Sequence, residues 1–194
     1  MQPISRTENR QNKHKKVLCM KVGKVSESVL KRSVLKQITN QNSEVKNGAG
    51  IGEDCAVFAQ KNGYTVQSVQ TFFVTSPSEV YVPIMKAVNG IAVKGAHPVA
   101  VLLTLLLPAD TEESFLKELM KKANEAAGIL HIQIAGGHTE VSENCSVPYV
   151  TATAIGSVEG ENLFENHIRP GQDIVLTGQV GCEGAGLLLS LIHI

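Results

Sequence analysis

The stretch VAVLLTLLLPADTEESFLKELMKKANEAAGILHIQIAGGHTE, Val99–Glu140, decides the fold. It opens with Val99 to Leu107, a run in which only Thr104 is polar. Such a run reads as a buried strand and is too short to span a bilayer. Asp110 and Glu113 then stand at capping-box spacing. Phe115, Leu116, Leu119, Met120, Ala123 and Ala127 form one helical stripe, with Lys117, Lys121 and Lys122 outside it. Gly128 stands where a helix of this length would end, and Leu130 to Ala135 reads as a second strand. A strand–helix–strand unit predicts a parallel pair with a right-handed crossover, expected at the centre of the sheet. It also predicts Gly136-Gly137 at the carboxyl end of a strand, where α/β sheets hold their ligands.

Upstream, Ser26 to Ile38 carries Val29, Leu30, Val34, Leu35 and Ile38 at helical spacing, with Ser26 as its cap. Residues 40–52 turn polar and then glycine-rich, as a loop does. Cys55 to Ala59 reads as a short strand, Lys61-Asn62-Gly63 as a turn, and Tyr64 to Val74 as a longer strand. Ser78 to Lys94 is expected to be a helix with Val82, Met85, Ile91 and Ala92 inward and Pro83 in its first turn. Downstream, Val147 to Val158 is apolar or small on both faces. Such a strand is central in its sheet or lies in a subunit interface. Arg169 to Asp173 reads as a turn, Ile174 to Thr177 as a short strand, and Gly178 to Gly186 as a glycine-rich entry into a helix. The fold class is α/β, as a two-layer α+β domain over residues 20–158 with a mixed sheet backed by helices.

The chain has 194 residues, 43% hydrophobic and 19% charged, which is globular composition. Aromatic residues make up 4% and there is no Trp, so a base-stacking nucleic-acid module is excluded. Residues 1–16 carry five Lys/Arg and one Glu, and the remainder carries 13 Lys/Arg against 17 Asp/Glu. The mildly acidic body argues against phosphate-backbone binding. Cys19, Cys55, Cys145 and Cys182 form no CxxC pair and read as reduced thiols. With no apolar leader after the basic start, the expected location is cytoplasmic, with no membrane partner. Residues 1–19 read as a disordered basic tail or an extension, with Met20 a more natural start. Residues 159–188 read as a linker and the start of a truncated second domain. The final six, LSLIHI, coincide with the in-frame translation of a sequencing adaptor and are expected to be non-native.

Three segments carry chemistry. In Gly48-Ala49-Gly50-Ile51-Gly52-Glu53-Asp54, glycines let backbone approach phosphates, and adjacent carboxylates suit the Mg2+ that phosphates bring. Read alone, this segment is often only a tight turn. It is neither a Walker A loop nor a dinucleotide fingerprint, because no Gly-Lys-Ser/Thr follows and it precedes a strand. Glu53 and Asp54 are neighbours, so their side chains point to opposite faces of an extended segment, and only one faces a ligand. Gly136-Gly137-His138-Thr139-Glu140 offers His138 and Glu140 as acid/base groups or ligands, against the blander reading of a glycine turn with solvated side chains. In Gly181-Cys182-Glu183-Gly184-Ala185-Gly186, a thiol near a helix start is set against a simple buried Cys. The other histidines, His14, His97, His131, His167 and His193, have no ligand spacing.

Taken in order, GIGEDCAVF, SVQTFFVTSP, NGIAVKGAHPVAVLLTLLLP, IQIAGGHTEV, TAIGSV and RPGQDIVLTG resemble the AIR synthase-related superfamily. That superfamily includes aminoimidazole ribonucleotide synthase, selenophosphate synthetase, thiamine-monophosphate kinase and the HypE hydrogenase maturation factor. The resemblance covers roughly residues 20–188 and is nearest to a branch beside HypE. It implies a PurM-like N-terminal domain that forms a homodimer through its sheet, with ATP and Mg2+ in the cleft between subunits. It implies an ATP-dependent enzyme that activates a small-molecule substrate by phosphoryl transfer or ATP cleavage, of which this chain is the inactive N-terminal half. It assigns Gly50, Gly52, Asp54, Asn89, Gly136, Gly137, His138 and Thr139 to the nucleotide and Asp54 to the metal. His138 and Glu140 stand as candidates for catalysis. Two family acids are replaced: a Thr-Asp pair by Gln70-Thr71 and an Asn-Asp pair by Asn89-Gly90. A Gly-Gly-Asp-Thr segment appears as Gly136-Gly137-His138-Thr139. The alternative reading is a non-catalytic PurM-like binding or assembly module that has lost its metal-binding acids.

Overall fold

Alternation along one strand fixes the layering. In β6 (Tyr149–Glu159), Val150, Ala152, Ala154, Gly156 and Val158 are buried, while Thr151, Thr153, Ile155 and Ser157 between them stay partly or fully exposed. Period-two burial means one covered face and one open face. The computed structural model describes residues 20, 22–164, 168–176, 178–182 and 184–186, so the proposed tail and final six residues lie outside it. The chain divides into two units, Met1–Leu163 and Phe164–Ile194.

In the first unit, β6 joins β1 (Val45–Asn47), β2 (Ala56–Gln60), β3 (Gly63–Phe73), β4 (His97–Pro108) and β5 (Gln133–Ser142). The sheet order is β1-β2-β3-β6-β4-β5, and every neighbour is antiparallel except the parallel pair β4–β5. This is the expected mixed sheet with helices and the expected parallel pair. The centre, however, is β3–β6, and the strand–helix–strand unit lies to one side with β5 at the edge. The connection after β5 returns as an antiparallel strand between β3 and β4, which displaces the unit outward.

The covered face holds the core. From α2 (Tyr81–Ala92), Ile84, Ala87, Val88 and Ile91 face β3 and β6. This is one stripe at spacings of three and four. Pro83 falls in the first turn as expected, but Met85 and Ala92 are exposed rather than inward. The chain enters α2 through a 3-10 turn, Pro77–Val80, closed by a Ser76–Glu79 capping box that sets this phase. From α3 (Glu113–Ile129), Leu119, Ala123, Ala126 and Ala127 are buried, with Phe115, Leu116 and Met120 packed beside them.

Both ends of α3 differ from expectation. Its N-cap is Glu112, and Asp110 belongs to a turn closed by the Thr111 N–H on Pro108 O. Its end lies beyond Gly128, at His131, where φ is +54°. There the His131 N–H donates to Gly128 O and the Ile132 N–H to Ala127 O, a Schellman closure with histidine at the left-handed position. The helix α1 (Glu27–Ser33) is shorter than the periodicity suggested and buries no residue. A 3-10 turn, Leu35–Gln37, follows it. The 40–52 loop contains β1. No helix among the described residues is long and apolar enough to cross a membrane.

In the second unit, the Gln172 N–H on Arg169 O forms the expected turn. Ile174, Val175 and Leu176 are exposed and form no strand, since no partner strand lies beside them among the described residues. Cys182 is exposed rather than buried.

Candidate functional site

The glycine loop between β1 and β2 is gripped from below. Among the described residues only Ser68 and Lys94 are buried polar or charged side chains, and both hold this loop. The Ser68 hydroxyl, on the covered face of β3, donates to the Asp54 backbone oxygen at 2.9 Å. Lys94, two residues beyond α2, brings Nζ to 3.3 Å from Glu53 Oε2. The same carboxylate accepts from Asn47 Nδ2 at 2.6 Å. The Asn47 hydrogen bond, helped by Lys94, holds the Glu53 carboxyl below its ordinary value of 4.5. Gly52, at φ +79°, makes the left-handed turn that brings Glu53 back over the sheet.

Glu53 is thus committed to internal partners, whereas Asp54 is exposed. Both line a cavity of about 400 Å³ with Gly48, Ala49, Cys55, Ala56, Gln67, Ser68, Val69 and Thr153. Gly50 and Gly52 belong to the same loop, Gly50 close above the Glu53 side chain. Cys55 is buried in the cavity wall, and that burial raises its thiol above the usual range, which disfavours the thiolate. On α2, Asn89 is exposed and Gly90 is buried directly against Ser68.

Gly136, Gly137, His138, Thr139 and Glu140 are not a turn. They run inside β5, parallel to Leu102–Leu106 of β4. Gly137 has φ +149°, and a Cβ there would collide with the Leu103 carbonyl. Glycine is what lets β5 approach β4. His138 and Glu140 share the open face, Nε2 to Oε2 3.2 Å, with their side chains 66% and 59% exposed. A second cavity, about 370 Å³, runs along Leu103, Leu105, Met120 and Ile134–Thr139.

One chain does not join these segments. From β2 to β5 there are four strand spacings, roughly 19 Å at ~4.8 Å each. Gly50, Gly52 and Asp54 share one loop and Gly90 lies near the Asp54 backbone oxygen, whereas Asn89 is exposed on α2 and does not line the cavity. Gly136, Gly137, His138, Thr139 and Glu140 sit on the opposite edge. The larger cavity of about 640 Å³, at Pro108, Asp110, Glu112 and Pro148, contains no candidate residue, and its two acids disfavour an anion.

Among the described residues no three His, Cys, Asp or Glu side chains are grouped to hold a metal. The donor set does not make a protein-only Mg2+ site. It does fit an Mg2+ that arrives on phosphates, which needs only one or two carboxylates, here Asp54.

Sequence reasoning missed Ser68 and Lys94. Each had a signal: Ser68 interrupts the inward positions of β3, between Val66 and Phe72, and Lys94 continues the apolar spacing of Ala87 and Ile91.

The family model "AIR synthase related protein, N-terminal domain" matches residues 52–158, more than half of the chain. Thiamine-monophosphate kinase of Bacillus subtilis is 30% identical over 153 residues, 73% of this chain and 46% of the relative. The putative hydrogenase expression/formation protein MJ0676 of Methanocaldococcus jannaschii is 27% identical over 180 residues, 87% of this chain and 52% of the relative. This chain therefore spans about half the length of these curated relatives. Among solved structures, AaThiL complexed with AMPPCP and TMP superposes with a TM-score of 0.66 at 19% identity, covering 76% of this chain and 49% of that one. HypE in complex with ATP gives 0.50 at 18% identity, covering 78% and 46%. These likenesses show the fold.

Proposed function

The chain belongs to the AIR synthase-related family, and from that membership we propose that it is the ATP-binding half of an enzyme that activates a substrate by phosphoryl transfer or ATP cleavage. The observation that carries this reading is the gripped loop: Glu53 is tied down while Asp54 stays open to the cavity. Gly50 and Gly52 let the backbone approach phosphates, and Asp54 supplies the one protein carboxylate for the accompanying cation. Mg2+, when bound with the nucleotide, neutralises phosphate charge. Relatives of this fold solved with AMPPCP and with ATP support a nucleotide as the ligand.

The open sheet face supports a homodimer. Val69, Phe73, Leu102 and Tyr149 are exposed there, in register across β3, β6 and β4. A second copy on this face offers a way to bring the partner's edge strand, with Gly136, Gly137, His138 and Thr139, towards the Asp54 loop. Within that arrangement His138 and Glu140 are the groups proposed to move a proton.

A second reading, a non-catalytic binding module, is favoured by one observation. Thr71, in the place of a family acid, shares a hydrogen bond with Thr151, Oγ1 to Oγ1 2.9 Å. Calorimetric titration of ATP with and without Mg2+ tests the proposal. Saturable binding to this chain supports a nucleotide site, and no binding supports the module.

A further inference from the structure

The two buried polar side chains of the described core act on consecutive residues of one loop. Ser68 holds the Asp54 backbone and Lys94 holds the Glu53 side chain. A buried ammonium is costly to desolvate and persists only when paired. Lys94 is 8% exposed and pairs with Glu53, which is 29% exposed by side chain and shared with Asn47. One carboxylate therefore links three elements: β1 through Asn47, the loop itself, and the end of α2 through Lys94. Gly50 lies over that carboxylate's side chain, so the turn and the ion pair are packed together.

We propose that Lys94 is a positioning residue, which through Glu53 locks the Gly48–Asp54 loop in the conformation that receives phosphate oxygens and turns Asp54 to the cavity. This assignment rests on the reading of the loop as the phosphate site. Lys94 lies behind the loop and does not line the cavity. Its effect on a ligand passes through loop geometry. A locked loop has already lost the conformational freedom that phosphate binding would otherwise remove.

The test uses the 194-residue chain, ATP as probe, and amide hydrogen exchange over residues 48–54. In Lys94→Met, ATP affinity should fall at least tenfold and loop amides should exchange at least tenfold faster. Lys94→Arg should restore most of both. The double variant Lys94→Met/Glu53→Gln keeps the parent's net charge and removes the unpaired carboxylate. It should regain thermal stability while ATP affinity and loop protection stay low. If the double variant binds ATP like the parent, the effect of Lys94 is charge alone and the positioning role is overturned. If Lys94→Met leaves loop exchange unchanged, the lock is overturned whether or not ATP binds. If the parent binds no ATP, the nucleotide reading fails, and loop exchange alone then decides whether Lys94 locks the loop.

Discussion

Gly90 of α2 lies directly against the Ser68 hydroxyl, so close that no side chain at 90 leaves that hydroxyl where it is. The same hydroxyl donates to the Asp54 backbone at 2.9 Å. A small residue in a helix thus sets the position of an acid on a loop. Gly90→Ala should force Ser68 out of its rotamer, break the bond to Asp54 and cost about 1–3 kcal/mol, as overpacking does. Adding Ser68→Ala should recover part of that loss. Chemical denaturation of the single and double variants measures both, and equal stability of the single variant with the parent would refute the contact.

Gly137→Ala should be at least as damaging. The new Cβ meets the Leu103 carbonyl in the parallel β4–β5 pair, and the backbone there has φ +149°. The expected cost is about 1–3 kcal/mol, with loss of amide protection confined first to β5. Gly128→Ala, at a position open on all sides, should stabilise or leave the helix unchanged and serves as the control.

The open sheet face makes an assembly prediction. Phe73→Asp or Leu102→Asp places a charge where both residues are already exposed in one chain, so the fold should survive. If a second copy covers this face, either change should weaken the dimer more than tenfold, or about 1.4 kcal/mol. Light scattering across a concentration series reads the result. An unaltered dimer would move the interface elsewhere.

Acid should loosen the glycine loop before it unfolds the sheet. Glu53 has its carboxyl held below 4.5, first by Asn47 and then by Lys94. A carboxylate lowered in the folded state contributes stability that is fully present above its unfolded value. That stability is lost as pH falls through the lowered folded value. The contribution should therefore be constant above about pH 5 and decline below 4.5. Glu53→Gln should flatten that part of the stability profile, which thermal melts between pH 3 and 7 would show.

Much of this fold was legible. The continuous apolar run of β4 and the 3.6-residue stripe of α3 are local patterns, and local patterns survive in the sequence. Gly136-Gly137 was misread as a strand end because two glycines look like a turn to their neighbours. Their reason for being glycine is the Leu103 carbonyl on another strand. Gly128 was misread as a helix end for the converse reason: His131 takes the left-handed position where glycine is the usual choice. At the site, strand alternation said only that one of Glu53 and Asp54 faces a ligand, and the family resemblance, not the spacing, pointed to Asp54. The partner that occupies Glu53 did not, because Lys94 meets it only through tertiary packing.

The central claim is that Asp54 is the acid facing a nucleotide. The measurement that tests it most directly is calorimetric titration of ATP with Mg2+ into the parent chain, Asp54→Asn and Glu53→Gln. The account predicts that the parent binds, that Asp54→Asn weakens binding more than tenfold, about 1.4 kcal/mol, and that Glu53→Gln, whose amide still accepts from Asn47 and Lys94, weakens it less. Asp54→Asn should leave thermal stability unchanged or slightly higher, since the carboxylate is exposed and its loss relieves repulsion with Glu53. A parent that binds no ATP, or an Asp54→Asn variant that binds it as tightly as the parent does, would contradict the account.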